Sequence, residues 1–285
     1  MSAVVEETTT AAGDSGIRRP ALLRGQGLAG SLVVAVIVLA GLFAGVLSRY
    51  DPTTQITGAN LLGPGAAHWL GTDELNRDVW ARVLHGLRID LLIVFAAVPV
   101  AAVLGSAIGL LASAHALADT VAQRVFDVVL AFPALILAIA LTAITGPGAH
   151  AVIIVIVAAE VPVFGRQIRT AILRVREQAF VEAAAVIGAG TWWTLRKHLL
   201  PNVLEPLAVQ LALSMSIAVA VDGAMSFIGL GVRQPQPSLG SVVAESVSNM
   251  DANPAMAVGP LVIIAGLTLG FLLIGQALGR ARRIG

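Results

Sequence analysis

Long apolar runs separated by short polar stretches dominate the chain, and six of them read as membrane spans, the fourth on a shorter apolar run than the rest. A spanning helix needs about 20 mostly apolar residues. The first run, residues 28–47, reads LAGSLVVAVIVLAGLFAGVL. The others cover about 89–112, 125–144 with Pro133 inside, a stretch starting near Ala151, 207–228 and 257–278. The fourth is interrupted by Glu160 and Pro162, and we expect it to continue as helix past Gly165, with Arg166 and Arg169 leaving the membrane. The pattern predicts an all-α membrane protein of six transmembrane helices.

Composition agrees. The 285 residues are 57% hydrophobic and 12% charged, about half the charged share of soluble domains. There is no cysteine, which excludes disulfides, thiolate metal sites and cysteine nucleophiles. Net charge is +1 and the charges are scattered, so there is no nucleic-acid footprint.

Cytoplasmic flanks collect Lys and Arg. With the N-terminus inside, the inner side holds Arg18, Arg19, Arg24, Arg124, Arg166, Arg169, Arg174, Arg176, Arg196, Lys197, Arg280, Arg282 and Arg283. The outer side keeps Arg49, Arg77, Arg82, Arg88 and Arg233. Both termini are therefore expected in the cytoplasm. Residues 1–27 then form an N-terminal tail, 28–278 the transmembrane domain and 279–285 a C-terminal tail. Two polar stretches interrupt that domain, an external one at 48–88 and a cytoplasmic one at 166–206.

The cytoplasmic stretch contains FVEAAAVIGAGTWWTLRKHLLPN, residues 180–202. Phe180, Ala183, Ala184 and Ile187 share one face at helical spacing, and Gly188 stands where a helix-ending glycine would. Thr191 suits an N-cap. Trp192, Leu195 and Leu199 line one face of a second short helix, and Pro201 fits the first turn of the next one. Two readings stand on pattern alone. One is an amphipathic hairpin on the lipid surface, with Trp192 and Trp193 at headgroup depth. The other is a docking surface, where Ala183 and Ala184 admit another backbone and Glu182 offers a charge-assisted contact.

In the external stretch, Thr72 is placed to cap a helix whose first turn carries Asp73 and Glu74. Leu75, Val79, Val83 and Leu87 recur every fourth residue. This predicts an external amphipathic helix that enters the second span near Asp90.

These segments carry a resemblance. EAAAVIG, nine intervening residues and HLLP resemble the EAA signature of the permease subunits of bacterial, binding-protein-dependent ABC importers. HWLGTDELNRDV, from His68, and AMSFIGLGVRQPQPSLG, residues 224–240, are similar to HPLGTDELGRDV and ALSFLGLGVQPPTPSWG of the dipeptide/oligopeptide branch, in its second permease. Trp69 replaces a proline and Asn76 a glycine, so the helix is expected to be less broken here, and Leu239 replaces a tryptophan. The end, GQALGRARRIG, lacks the branch's acidic residues and DPR ending.

The resemblance covers residues 28–278 and implies the type I importer permease fold in a bacterial inner membrane. It implies that Glu182, Ala183, Ala184, Ile187, Gly188 and Pro201 couple to an ATPase. The expected partners are a second homologous permease, two ATPase subunits or one fused ATPase, an extracellular substrate-binding protein, and membrane lipid. The chain has no phosphate-cradling glycine loop with its lysine. It is thus expected to be a non-catalytic subunit with no catalytic residue, metal or cofactor of its own, with ATP and Mg bound by the ATPase. Cargo would be di- or oligopeptides, or alternatively nickel, glutathione or haem.

Asp127, Glu160 and Asp222 lie in or near spans. A bare charge at the bilayer centre costs about 2.5–3.5 kcal/mol on insertion scales. Asp127 is expected to pair with Arg124 or Arg166. Asp222, Ser226 and Glu160 are candidates for the translocation pathway, although Asp222 can equally serve to hold Ser226, one turn on. A proton-coupled transporter using the three acids is a weaker reading. An intramembrane enzyme built on Glu160 and His150 is weaker still.

Overall fold

The computed structural model describes residues 25–176 and 200–284, apart from the side chains of 175–176, 200–203, 205 and 281–284. Its helices are α1 (Gly25–Leu42), α2 (Ala44–Leu47), α3 (Val79–Ala112), α4 (Ala116–Leu130) and α5 (Ala134–Thr145), then α6 (Ala149–Arg176), α7 (Leu200–Phe227), α8 (Leu239–Val247) and α9 (Ala255–Ile284). Among the described residues the only β pairing is an isolated bridge between Thr72 and Asp78. A backbone in hydrocarbon must satisfy its own N–H and C=O groups, which leaves helices as the form for these apolar runs.

Parts of α1, α3, α6, α7 and α9 are long and apolar enough to span. The third predicted span is a bent pair instead of a straight helix, with α4 and α5 meeting at 94°. Pro133, which lacks an N–H and disfavours helix in the residue before it, is the N-cap of α5. With the pair taken as one crossing there are six spans. α6 runs unbroken through Glu160, Pro162 and Gly165, as expected.

In lipid, helices associate through packing and hydrogen bonds more than through burial of apolar area. The most extensive seam joins α3 to α6. A Cβ on Gly105 would stand 2.3 Å from the carbonyl oxygen of Val161, and one on Gly109 would stand 2.3 Å from that of Gly165. Gly165 in turn admits the Phe126 ring of α4. Gly30 and Gly270 bring α1 against α9 in the same way. Val94, Ala97, Val98, Ala101, Ile156 and Phe164 fill the core. Large apolar side chains such as Leu32 and Val36 on α1, Val103 and Leu111 on α3, and Val262 on α9 point outward, which suits a protein whose solvent is lipid.

The external stretch departs from expectation. Asp78, not Thr72, is the N-cap of α3, its side chain accepting from the N–H of Ala81 at 2.7 Å. Thr72 instead accepts from the N–H of Leu62, and Asp73 accepts from those of Leu75 and Arg77. Asn76 has φ +61°, a left-handed conformation that Asn tolerates better than most residues. It thus keeps the break at the position where the branch has glycine.

Replacing Gly109 by Leu would drive a side chain into the Gly165 backbone. Overpacking of this kind costs about 1–3 kcal/mol. Gly109→Leu should lower the melting temperature of the purified protein and its yield in membranes, whereas Leu111→Ala on the outward face should leave both nearly unchanged.

Candidate functional site

The inner half is organised by α6. Arg169 grips the Asp119 carboxylate of α4 in a two-pronged contact, Nε to Oδ1 at 2.5 Å and a terminal nitrogen to Oδ2 at 2.6 Å. Arg166 pairs with Asp127, and Arg124 lies 3.7 Å from the other Asp127 oxygen. Asp127 is therefore a paired ion with the partners its spacing suggested.

Higher on α6, Glu160 is buried and accepts a hydrogen bond from the Ser214 hydroxyl of α7. Gln210 donates to Ser214 at 3.2 Å. The link joins the two helices that flank residues 177–199. Glu182, Ala183, Ala184, Ile187 and Gly188 lie outside the described residues. Pro201 is the second residue of α7 as described, in its first turn.

Asp222 and Ser226 are buried inside this chain's own bundle. Ser226 has little room, since a Cβ on Gly231 would stand 2.0 Å from its Oγ. Asp222 lines a small cavity together with Asp90 of α3, an acid that sequence reasoning noted only as a span boundary. A carboxylate embedded in RIDLLIVF was the available signal. Asp90 Oδ2 accepts from the N–H of Leu239, the first residue of α8, at 2.8 Å.

Outside, a buried ionic network fastens α8 to the loop before α3 and to the first turn of α3. Glu245 of α8 takes Arg82 at 2.8 Å on one oxygen and Arg77 at 3.2 Å on the other. Arg77 also reaches Asp73 at 2.7 Å. Burial pushes the Glu245 carboxyl above its ordinary range, while the charges of Arg82 and Arg77 pull the other way. Asn249 donates to Glu74 at 3.3 Å, and Asn253 donates to the carbonyls of Leu62 and Leu70. Among the described residues no three His, Asp or Glu side chains gather as a metal site.

Residues 92–284 match the family described as binding-protein-dependent transport system inner membrane component. The chain belongs to that family. It is thus a multi-pass bacterial inner-membrane permease. It is 34% identical over 252 residues to the dipeptide transport system permease protein DppC of Alkalihalophilus pseudofirmus, covering 88% of this chain and 83% of that one. It is 38% identical to a di/tripeptide permease of Pseudomonas aeruginosa, over 77% of this chain and 75% of the other. A glutathione permease, GsiD of Pectobacterium atrosepticum, is 33% identical over 88% and 84%. Among solved structures, an inward-facing MetNI methionine ABC transporter matches with a TM-score of 0.57 at 20% identity, covering 70% of this chain and 95% of that one. That likeness carries the fold, which is the type I importer permease fold.

In the permease the outer network is a structural clamp. Removing one partner of a buried pair typically costs about 3–5 kcal/mol, because the other charge is left alone. Glu245→Ala takes from Arg82, whose side chain is 1% exposed, its hydrogen-bonded acid and leaves Asp73 at 3.5 Å as a more distant counter-charge. Proteolysis of the external face should then become faster, and replacing Arg82 by Met in the same chain should restore part of the resistance.

Proposed function

We propose that this chain is one of two permeases in an ATP-driven importer of di- or oligopeptides, forming half of the pathway and taking its energy from an ATPase docked on residues 182–188. The family match carries this reading, because it runs through residues 92–284 and so includes the EAA-like segment. Relatives named for dipeptide and di/tripeptide transport support the cargo. The glutathione permease relative, nearly as similar, supports glutathione as the second reading. A proton-coupled secondary transporter does not fit a binding-protein-dependent family.

The partners follow from the reading. A second permease completes the pathway, two ATPase subunits or one fused ATPase bind ATP and Mg, and an extracellular binding protein delivers cargo. Closure of the ATPases on ATP would move residues 182–188 as a unit, and Pro201 at the start of α7 would transmit the movement. α6 and α7 flank the segment and are joined through Glu160 and Ser214, so a push on it tilts both helices. Hydrolysis then resets the inward-facing state. Asp222, Ser226 and Glu160 remain pathway candidates in a restricted sense: all three face into the bundle, and cargo would meet them only after helices part.

The test is peptide uptake by the complete complex in proteoliposomes, with the binding protein present. Glu182→Lys and Gly188→Asp should each abolish ATP-dependent uptake and weaken copurification of the ATPase, with membrane insertion intact. Full uptake by either variant would remove the coupling claim. ATPase stimulation by glutathione and by no other peptide would select the second cargo.

A further inference from the structure

Asp90 and Asp222 are 6% and 1% exposed, and they line one cavity with room for roughly one water molecule. Each keeps an oxygen, Oδ1, with no hydrogen-bond partner. The remaining lining, which includes Leu91, Val94, Val219 and Leu267, brings no cation. Charged groups on the helices packed around it are engaged elsewhere or distant. On α3, Arg82 is held by Glu245, Arg88 is exposed, and the His85 ring bonds the Ala81 carbonyl. Glu245 of α8 faces Arg77 and Arg82, Glu160 of α6 is bonded by Ser214, and Arg280 lies near the far end of α9.

Two carboxylates lining one small buried cavity with no counter-cation cannot both carry charge without a penalty of several kcal/mol. A proton between them removes one charge and gives an oxygen a donor. The two acids are not equivalent: Asp90 faces a donor that cannot accept, the Leu239 N–H at 2.8 Å, whereas Asp222 faces the Ser226 hydroxyl, which can also accept from a protonated carboxyl. We propose that Asp90 and Asp222 form a single-proton site, with the proton on Asp222 and Asp90 as the charged member that fastens the N-terminus of α8 to α3 and α7.

α8 sits on the outer side, and Glu245 ties its other end to Arg77 and Arg82. If α8 lifts, Leu239 leaves the cavity lining and water reaches both acids, so each becomes an ordinary carboxylic acid, ionised near neutral pH. The docked arrangement therefore holds one proton more than the undocked one. By linkage, raising the pH disfavours docking. The site thus makes the seating of an external helix depend on a proton, separately from any ATPase and whatever the cargo.

Infrared difference spectroscopy and hydrogen exchange on the full chain in lipid nanodiscs test this. At neutral pH the wild type should show the C=O band of a buried protonated aspartate, sensitive to deuterium, and Asp222→Asn should lack it. After correction for intrinsic rates, the first turn of α8 should lose protection in the wild type as pH is raised. Asp222→Asn, which cannot lose the proton, should keep it, with a difference of about tenfold for each pH unit past release. Absence of the band in the wild type would overturn the proposal even if the variant fails to fold. Equal protection in both chains at alkaline pH would overturn it too. Protection that follows sodium concentration instead of pH would assign the cavity to a cation and remove the shared proton.

Discussion

The glycine seam between α3 and α6 is the contact on which the rest depends. Only residues without a side chain let Gly105 and Gly109 approach the backbone of α6 at Val161 and Gly165. That closeness substitutes for the hydrophobic driving force that lipid does not provide. It also places α6 so that the Phe126 ring fits against Gly165, Arg166 and Arg169 meet the acids of α4, and Glu160 meets Ser214 of α7. A helix seated a few ångströms further out would lose these polar contacts together.

α3 extends the seam to the other side. At about 1.5 Å per residue its 34 residues are longer than a hydrocarbon core of about 30 Å. Its first turns therefore stand outside, where Arg82 enters the clamp with Glu245. Further in, Asp90 holds the start of α8 and Gly105 and Gly109 hold α6. One rigid element thus touches both the external helix and the helix that leads to the cytoplasmic segment. Its polar links lie toward its N-terminal end and its glycine contacts toward its C-terminal end.

The spans were legible because apolar length is a direct consequence of bilayer thickness. The partners of Asp127 were legible because Arg124 is three residues away and Arg166 falls on the inner flank. The start of α3 was not. Leu75, Val79, Val83 and Leu87 keep a helical period across a break that Asn76 makes by taking a positive φ. The 94° bend was marked by Pro133, but its angle depends on neighbouring helices. Contacts such as Arg77 with Glu245, 168 residues apart, and Asp90 with Leu239, 149 apart, have no local signature. Glu182 to Gly188 fall outside the described residues, so their role rests on the resemblance and the family match.

Site-specific cross-linking tests the central claim most directly, and the natural absence of cysteine makes the chain a ready background. A single cysteine at Ala184 is paired, one at a time, with cysteines across the surface of the copurified ATPase, with and without ATP. The account predicts disulfides from position 184 to one small patch of the ATPase, formed in both states, and uptake that stops when they form. Failure of position 184 to cross-link to any part of the ATPase, in a complex that still imports peptide, would contradict it.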